Sequence, residues 1–131
     1  MTVDPQYLAG LLDGDGSISI VKHTSSPFSK DGYAYYCLAV QLGQLDTPEF
    51  RALAAELGRR IIEVTQPTTA GRKVAKINWW GKNADALLRE VGPLLRLKAR
   101  QWLLIQAFWA ARTEAQEEML KAQMIALNKV T

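Results

Sequence analysis

The sequence predicts an α+β fold, in which an antiparallel β-sheet of four strands carries helices on one face. Three observations lead to this prediction: helical and strand patterns alternate along the chain, two strand pairs each follow a helix, and glycine ends several of the helical patterns. The predicted order is αββαββα followed by C-terminal helices. At 131 residues the chain is long enough for one hydrophobic core and too short for two, so we expect a single domain over residues 1–131.

The spacing of apolar residues sets the bounds of each predicted element. The first helix is capped by Asp4 and ended by Gly14 and Gly16, and two strands follow at 17–23 and 33–44, joined by a loop at 25–32. The second helix starts at 46–49 and ends at Gly58. Two further strands, at 61–66 and 74–80, flank a turn at 69–71, and the next helix is capped by Asn83 and ended by Gly92. A long apolar helix follows residue 98 and runs to about Arg112. Thr113 and Gln116 then form a capping-box pattern that opens a last helix through Leu127.

The alternation along the strands predicts two different faces of the sheet. The face that the helices cover carries Ile18, Ile20, Tyr36, Leu38, Val40 and Leu42. The other face carries Ser19, Val21, His23, Tyr35, Cys37, Gln41, Lys76 and Asn78. This mixed polar and basic surface suits contacts with the edges of nucleic-acid bases, although antiparallel sheets also leave one face in solvent without any binding role.

Composition excludes several classes of protein. With 48% hydrophobic and 22% charged residues, the chain is neither disordered nor fibrous. One cysteine, Cys37, and one histidine, His23, cannot form an internal disulfide or a tetrahedral zinc site. The longest apolar runs, such as 102–105, are far shorter than the roughly 20 residues that span a bilayer. We therefore expect a soluble intracellular protein without a targeting signal or a membrane partner, in the cytoplasm or in an organelle of the host genome.

The most informative stretch is residues 8–16, which read LAGLLDGDG. It predicts a short helix with small residues along one side, so that a second helix backbone can approach closely. Asp13 and Asp15 end this helix, although the negative end of the helix dipole disfavours carboxylates there. A bound divalent cation would remove that penalty, so the stretch indicates a metal site. An EF-hand loop is excluded, because Ile18 and Thr24 occupy the positions that require Gly and Glu.

The same stretch resembles the signature of the LAGLIDADG homing endonuclease family and differs from the letters of that name at Leu12 and Gly14. The αββαββα order is similar to that of the family, and the segment 92–98 is similar to a family segment that ends in an active-site lysine. With one signature motif, the chain resembles the homodimeric branch. In that branch the helices over 8–15 of two subunits pack across a twofold axis, and the dimer straddles a pseudo-palindromic DNA site.

The resemblance implies a site-specific double-strand DNA endonuclease that hydrolyses phosphodiester bonds with Mg²⁺, for which Mn²⁺ or Ca²⁺ can substitute in binding. It implies that Asp15 of each subunit and the carbonyl of Gly14 ligate the metal. Lys98 would stabilise charge near the phosphate or hold solvent there, and Gln44 would contact a metal-bound water. Asp13 is expected to be structural. The arginine that follows this glutamine in the most similar family patterns has no counterpart at the matching place, so no arginine is assigned.

On this interpretation the open face of the sheet reads the DNA sequence. The candidates for contacts with base edges are Ser19, His23, Tyr35, Gln41, Lys76 and Asn78, and those for contacts with phosphates are Arg72 and Lys73. Between Gly58 and Lys82 the chain carries six basic side chains and one acidic one. Since many proteins carry a basic hairpin, this charge supports a nucleic-acid partner only weakly.

Two other functions are compatible with the same residues. A non-cleaving relative, such as an RNA maturase or a transcription regulator, would keep the DNA-binding surface. The presence of Asp15, Gln44 and Lys98 favours the enzyme, because a protein that only binds DNA has no need of an acid in a phosphate-lined groove. The third candidate is a structural dimer paired through its helices, without nucleic acid. The size of the chain suits an intron-encoded gene, while the residues do not distinguish an intron from an intein.

Overall fold

The polypeptide forms a layer of helices on one face of a β-sheet. This computed structural model describes residues 3–24, 34–66 and 71–130. The helices are α1 (Pro5–Asp15), α2 (Pro48–Glu56), α3 (Lys82–Val91), α4 (Ala99–Ala110) and α5 (Glu114–Val130), and the strands are β1 (Gly16–Thr24), β2 (Ala34–Leu45), β3 (Glu63–Thr65) and β4 (Val74–Trp80). A single 3-10 turn, Gly92–Leu94, follows α3 directly. The predicted loop at 25–32 and most of the predicted turn at 69–71 lie outside the described residues.

The strands form one antiparallel sheet in the order β1-β2-β4-β3, which confirms the predicted fold class. All nine residues of β1 pair with β2. β3 is shorter than predicted, because only residues 63–65 of the expected 61–66 are in a strand. The Ile62 N–H nevertheless donates to the Lys76 carbonyl oxygen at 2.8 Å, so the chain begins to follow β4 before β3 starts.

Burial follows the predicted alternation along the strands. The side chains at most 4% exposed include Ile18, Ile20, Leu38, Val40 and Leu42, all of which were predicted to face the core. α1, α3 and α5 contact the sheet. Their contribution to the same core includes Leu8, Leu12, Leu88, Leu120 and Met124. Among the described residues, none of the helices combines the length and the apolar character needed to cross a membrane.

α1 joins β1 without an intervening loop. The Asp4 carboxylate caps the start of the helix, as predicted, by accepting a backbone N–H hydrogen bond at 2.9 Å. The prediction that Gly14 ends the helix is wrong, because α1 continues to Asp15 and the backbone becomes extended only at Gly16. The N–H of Gly16 still donates to the carbonyl oxygen of Leu12. Asp15 therefore lies at the joint between the helix and the sheet.

The start of α3 is set by a glycine rather than by a side-chain cap. The prediction that Asn83 caps this helix is wrong, since α3 begins at Lys82 after Gly81. Gly81 has a φ of +54°, a conformation that side chains disfavour. Its N–H donates to the Leu38 carbonyl oxygen at 3.0 Å, so the chain turns into the helix while it is still bonded to β2.

The C-terminal helix begins as the sequence predicts. The Thr113 hydroxyl oxygen accepts a hydrogen bond from the Gln116 N–H at 3.1 Å, and the Gln116 side-chain oxygen accepts one from the Thr113 N–H at 3.2 Å. These reciprocal bonds confirm the capping box. α5 extends slightly past its predicted end at Leu127, to Val130, and lies against β1.

Candidate functional site

Asp15 lies at the tip of α1, where its side chain is exposed. Gln44, near the end of β2, donates from Nε2 to Asp15 Oδ2 at 2.5 Å. The strand register explains this contact: Gly16 lies opposite Leu42, so the last residues of β2 run past the tip of the helix. The fold therefore brings together two of the predicted site residues that lie far apart in the sequence.

Asp13 has a different set of partners, in the segment that leads into α4. Its carboxylate accepts hydrogen bonds from the backbone N–H groups of Arg96 and Lys98, at 2.9 and 3.1 Å. The ammonium group of Lys98 in turn donates to the carbonyl oxygen of Asp13 at 2.8 Å. These three bonds fasten the segment to the tip of α1 and hold Lys98 beside it. The carboxylate of Asp13 is thus committed to backbone donors, in line with the structural role expected of it.

A concavity of about 650 Å³ opens at the tip of α1. Its lining consists of Asp13, Gly14, Asp15, Gly16, Ser17, Leu97, Lys98 and Asn128. Three predicted site residues share this lining, and Gln44 reaches Asp15 from outside it. Asn128, which sequence analysis missed, comes from α5 and donates from Nδ2 to the Ile18 carbonyl oxygen at 2.8 Å. No local pattern marks this asparagine, because only the packing of α5 against β1 brings it here.

Two carboxylates, those of Asp13 and Asp15, and one ammonium group, that of Lys98, lie at the tip of α1. Both carboxylates lie at the negative end of the helix dipole, and within the part of the chain that the structure describes neither Asp13 nor Asp15 forms a salt bridge. Asp15 offers oxygen ligands, which Mg²⁺ prefers. Among the residues that the structure describes, no three or more acidic, histidine or cysteine side chains are grouped so that they could hold a metal ion. A cation bound at Asp15 would therefore need further ligands from a bound molecule or a second copy of the chain.

The sheet face away from the helices carries other predicted residues in cross-strand rows. Gln41 of β2 lies opposite Ser17 of β1 on one side and Asn78 of β4 on the other. Ser19 lies in the next row along β1. A shallow hollow of about 290 Å³ follows these rows and is lined by Ser17, Ser19, Val21, Ala39, Val40, Gln41, Asn78 and Trp80. Hydroxyl and amide groups that can both donate and accept hydrogen bonds thus lie side by side on an open surface.

Aromatic rings form a second group on this face. The ring centroid of His23 lies 5.1 Å from that of Tyr35 and 5.3 Å from that of Trp80. Trp80 was not among the predicted site residues. In the structure its side chain is 42% exposed. The signal was present, because Trp80 follows Lys76 and Asn78 at the two-residue spacing that places strand side chains on one face.

The basic candidates differ in how far their charge is already used. Lys76 Nζ lies 3.6 Å from Glu63 Oε2, so part of its charge is compensated across the β3–β4 pair. Arg72 and Lys73 are exposed directly before β4, and neither forms a salt bridge to another described residue. The ammonium group of Lys73 nevertheless helps to lower the pKa of Asp46, so its charge is shared with that carboxylate.

Arg51, in α2, is paired with Asp46. Its guanidinium donates to both carboxylate oxygens of Asp46, at 2.6 and 2.9 Å. This bidentate bond holds the pKa of Asp46 below its usual value. Arg51 therefore makes its side-chain contacts with Asp46, directly after β2.

One side of α1 has no neighbour within the described residues. Tyr7 is 56% exposed, and Gly10 and Gly14 follow it on the exposed surface of the helix. A Cβ atom built at either glycine would meet no atom within 4 Å. This side of the helix therefore has room for another helix to approach closely.

These features define a class of protein: an α+β fold in which an acidic helix tip is joined directly to a sheet with an open polar face. Searches of protein-family profiles and of curated proteins find no match. Several solved structures of homing endonucleases do match. They show that the chain has the LAGLIDADG homing endonuclease fold, which is the fold implied by the resemblance of residues 8–16.

The similarity is structural, with low sequence identity. The homing endonuclease I-CvuI, in complex with the I-CreI target, 2 mM Mg and uncleaved DNA, matches 94% of this chain and 80% of its own at 18% identity, with a TM-score of 0.65. I-SmaMI bound to cleaved DNA matches 95% and 44% at 20% identity, with a TM-score of 0.60. I-LtrWI bound to target DNA matches 94% and 43% at 15% identity, with a TM-score of 0.54. The chain thus spans less than half the length of I-SmaMI and I-LtrWI.

Proposed function

We propose that this protein is a metal-dependent, site-specific DNA endonuclease that acts as a homodimer on a long pseudo-palindromic site. The observation that carries the proposal is the meeting of Asp15, Gln44 and Lys98 around the tip of α1, beside an open polar sheet. Similar solved structures are described as homing endonucleases bound to DNA, which supports the same function.

The open face of the sheet is the proposed DNA-binding surface. A β-ribbon fits the major groove, which is about 12 Å wide, and its side chains can then reach the edges of the bases. Ser19, Gln41 and Asn78 supply neutral donors and acceptors for those edges, together with His23 and Tyr35. The proposed basic contacts are Lys76 in the groove and Arg72 and Lys73 on phosphates, where Lys76 would exchange Glu63 for the nucleic acid.

Asp15 and the carbonyl oxygen of Gly14 would hold the metal, for which Mg²⁺ fits best because the donors are oxygen atoms. The bound metal would neutralise charge on the scissile phosphate and lower the pKa of an attacking water. Gln44 acts on Asp15 rather than on the phosphate, since its amide orients the carboxylate through the 2.5 Å hydrogen bond. Gln44 is therefore a positioning residue in this proposal. It would also contact a metal-bound water, as the resemblance implies.

Lys98 supplies positive charge at the same place. Its ammonium group lies 2.8 Å from the Asp13 carbonyl oxygen, on the lining of the concavity that also contains Asp15. From there it would stabilise the negative charge that grows on the phosphate during hydrolysis. The backbone bonds from residues 96 and 98 to Asp13 fix the start of this side chain and so limit the directions in which it can reach.

The homodimer follows from the need for more ligands than one chain offers. One protomer places a single exposed carboxylate at the tip of α1, and the side of α1 that bears Gly10 and Gly14 is open. Packing two copies of α1 side by side would bring the two Asp15 carboxylates close together. Two sheets related by a twofold axis would then contact two half-sites of a pseudo-palindrome.

The catalytic role is tested with Asp15→Asn. Magnesium-dependent cleavage of a randomised duplex library is measured for the wild type, for Asp15→Asn and for Glu56→Gln, which changes the same charge at an exposed position at the end of α2. We expect Asp15→Asn to bind the selected duplex but to lower the cleavage rate by about 100-fold or more, and Glu56→Gln to cut as the wild type does. Equal cutting by all three proteins would remove Asp15 from the mechanism.

The dimer is tested with Gly10→Leu, measured by analytical ultracentrifugation beside the wild type. The Cβ atom of a side chain at this position would meet no atom of its own protomer within 4 Å, whereas the bulk of a leucine would hold a second helix away, so we expect a folded monomer that does not cut. A wild-type monomer at working concentration would contradict the dimer. Specific binding by the wild type without cutting would favour the non-cleaving regulator or maturase, and the absence of binding at low salt would favour a structural dimer.

A further inference from the structure

One patch of the sheet's open face is aromatic rather than polar. It consists of His23 of β1, Tyr35 of β2 and Trp80 of β4, and we call it the aromatic cluster. The planes of the His23 and Tyr35 rings are inclined by 25°, and those of His23 and Trp80 by 51°. Tyr35 is 47% exposed and Trp80 is 42% exposed. Each ring comes from a different strand, and the pairing of these strands brings the three backbone segments together on one face.

We infer that the aromatic cluster recognises the 5-methyl group of thymine in the major groove. This inference rests on the proposed function and adds a means of sequence discrimination to the hydrogen-bonding side chains. The thymine methyl is the apolar feature of the major-groove edge, and cytosine carries only a hydrogen atom there. Hydroxyl and amide groups gain little from a methyl group, whereas exposed rings gain from its burial.

The position of the cluster supports this assignment. Trp80 lines the same hollow as Gln41 and Asn78, so the rings continue the polar surface instead of forming a separate patch. A base pair that places its polar edge over that hollow would place a neighbouring base over the rings. The same side chains would therefore read hydrogen-bonding groups and a methyl group on adjacent base pairs.

The strand geometry also gives the distance of the cluster from the cleavage centre. Trp80 is paired through Ala39 with Ser19, four residues beyond Asp15, and His23 is eight residues beyond it. At about 3.3 Å per residue these positions lie about 13 and 26 Å from Asp15 along β1. With about 3.4 Å between successive base pairs, the cluster would face bases about four to eight pairs from the scissile phosphate.

Stacking on a base turned out of the duplex is a different use of aromatic rings. It needs only the flat face of a base, and every base has such a face. Recognition of the methyl group instead requires an intact pair whose major-groove edge faces the protein. The two uses differ in a measurable respect: a stacking site tolerates any base, whereas recognition of the methyl group requires a paired thymine and is weakened when its methyl group is removed.

The test uses deoxyuridine, which lacks the 5-methyl group but pairs as thymine does. A duplex is selected from a randomised library by the wild-type protein with Ca²⁺ in place of Mg²⁺, and each thymine is then replaced singly. We expect one or two replacements, about four to eight pairs from the cleavage position, to weaken binding by about threefold to fivefold, the scale of one buried methyl group. Replacements elsewhere should leave the affinity unchanged.

Variants then assign the effect to the aromatic cluster. Trp80→Gln should bind thymine and deoxyuridine duplexes equally at those positions, whereas Trp80→Phe should keep part of the preference. Asn78→Ala, on the same face but outside the cluster, should bind more weakly and keep the full preference. Tyr35→Ser provides a second test of the cluster, and circular dichroism verifies that every variant is folded.

Two results would overturn the inference and leave the proposed function standing. One is equal binding of thymine and deoxyuridine at every position of a specifically bound duplex. The other is a preference that Trp80→Gln and Tyr35→Ser both retain in full. If the wild type selects no duplex sequence from the library, the proposed function fails too, so the two failures are distinguishable.

Discussion

Replacement of Gly16 by alanine tests the joint between α1 and β1. The backbone at Gly16 is extended, with a φ of −86°, so its conformation alone would accept any residue. The obstacle is space: a Cβ atom would lie 2.8 Å from the Cα atom, the carbonyl oxygen and a side-chain methyl of Leu12. Because two of these atoms belong to the backbone, the helix or the strand must shift. We expect Gly16→Ala to lower the free energy of unfolding by about 1 to 3 kcal/mol, the range for overpacked sites.

Gly10→Ala is the matched control in the same helix. Its Cβ atom would meet no atom within 4 Å, and alanine in a helix interior is favoured over glycine by about 0.5 to 1 kcal/mol. The two substitutions add the same methyl group and should therefore change stability in opposite directions. Because Gly10 lies on the side of α1 that would meet a second copy, urea unfolding of both variants is compared at protein concentrations low enough to keep them monomeric. Equal losses from both variants, or no loss from Gly16→Ala, would refute the steric reasoning.

Two further predictions concern charge. The Tyr36 hydroxyl donates a hydrogen bond to the Glu118 carboxylate, which lowers the pKa of Glu118 and raises the pKa of Tyr36 to about 12. The wild type should therefore be more stable than Tyr36→Phe at neutral pH. This difference should decrease as the pH falls through the pKa of Glu118, and decrease again as the pH rises towards 12. A difference that stays constant across a pH series of urea unfolding curves would contradict this. Salt titrations of DNA binding measure the slope of the logarithm of the binding constant against the logarithm of the salt concentration. Arg72→Gln and Lys73→Gln should each reduce the magnitude of this slope by about 0.9. Lys22→Gln, on the helix-covered side of the sheet, should leave it unchanged.

Most of the fold was predictable because strands and helices leave periodic patterns. The alternation in β1, β2 and β4 placed the buried side chains correctly, and Thr113 with Gln116 marked the start of α5. The errors occurred where tertiary contacts decide a boundary. Gly14 remains helical and the backbone becomes extended only at Gly16, where the strand begins. The residue before α3 is Gly81 rather than Asn83, and the Gly81 N–H bonds to β2.

The candidate site was predictable only through the resemblance. Asp15, Gln44 and Lys98 are separated by tens of residues, and no spacing rule shows that a register between β1 and β2 brings the first two within 2.5 Å. The contribution of Asn128 depends on how α5 lies against the sheet, which its own sequence does not record. Trp80 could have been predicted from the strand pattern, because it lies two residues after Asn78 and therefore on the same face of β4.

The placement of α5 has a consequence for solubility. β1 is an edge strand of the sheet, and an edge strand offers unpaired backbone groups to which a strand of another molecule can add. The Ile18 carbonyl oxygen in this strand accepts a hydrogen bond from the Asn128 side chain. Asn128 in turn accepts a hydrogen bond from the buried amide of Gln101 at 3.4 Å. α5 thus satisfies part of this sheet edge, and we expect its loss to leave an edge to which a strand of another molecule can add, close to the tip of α1.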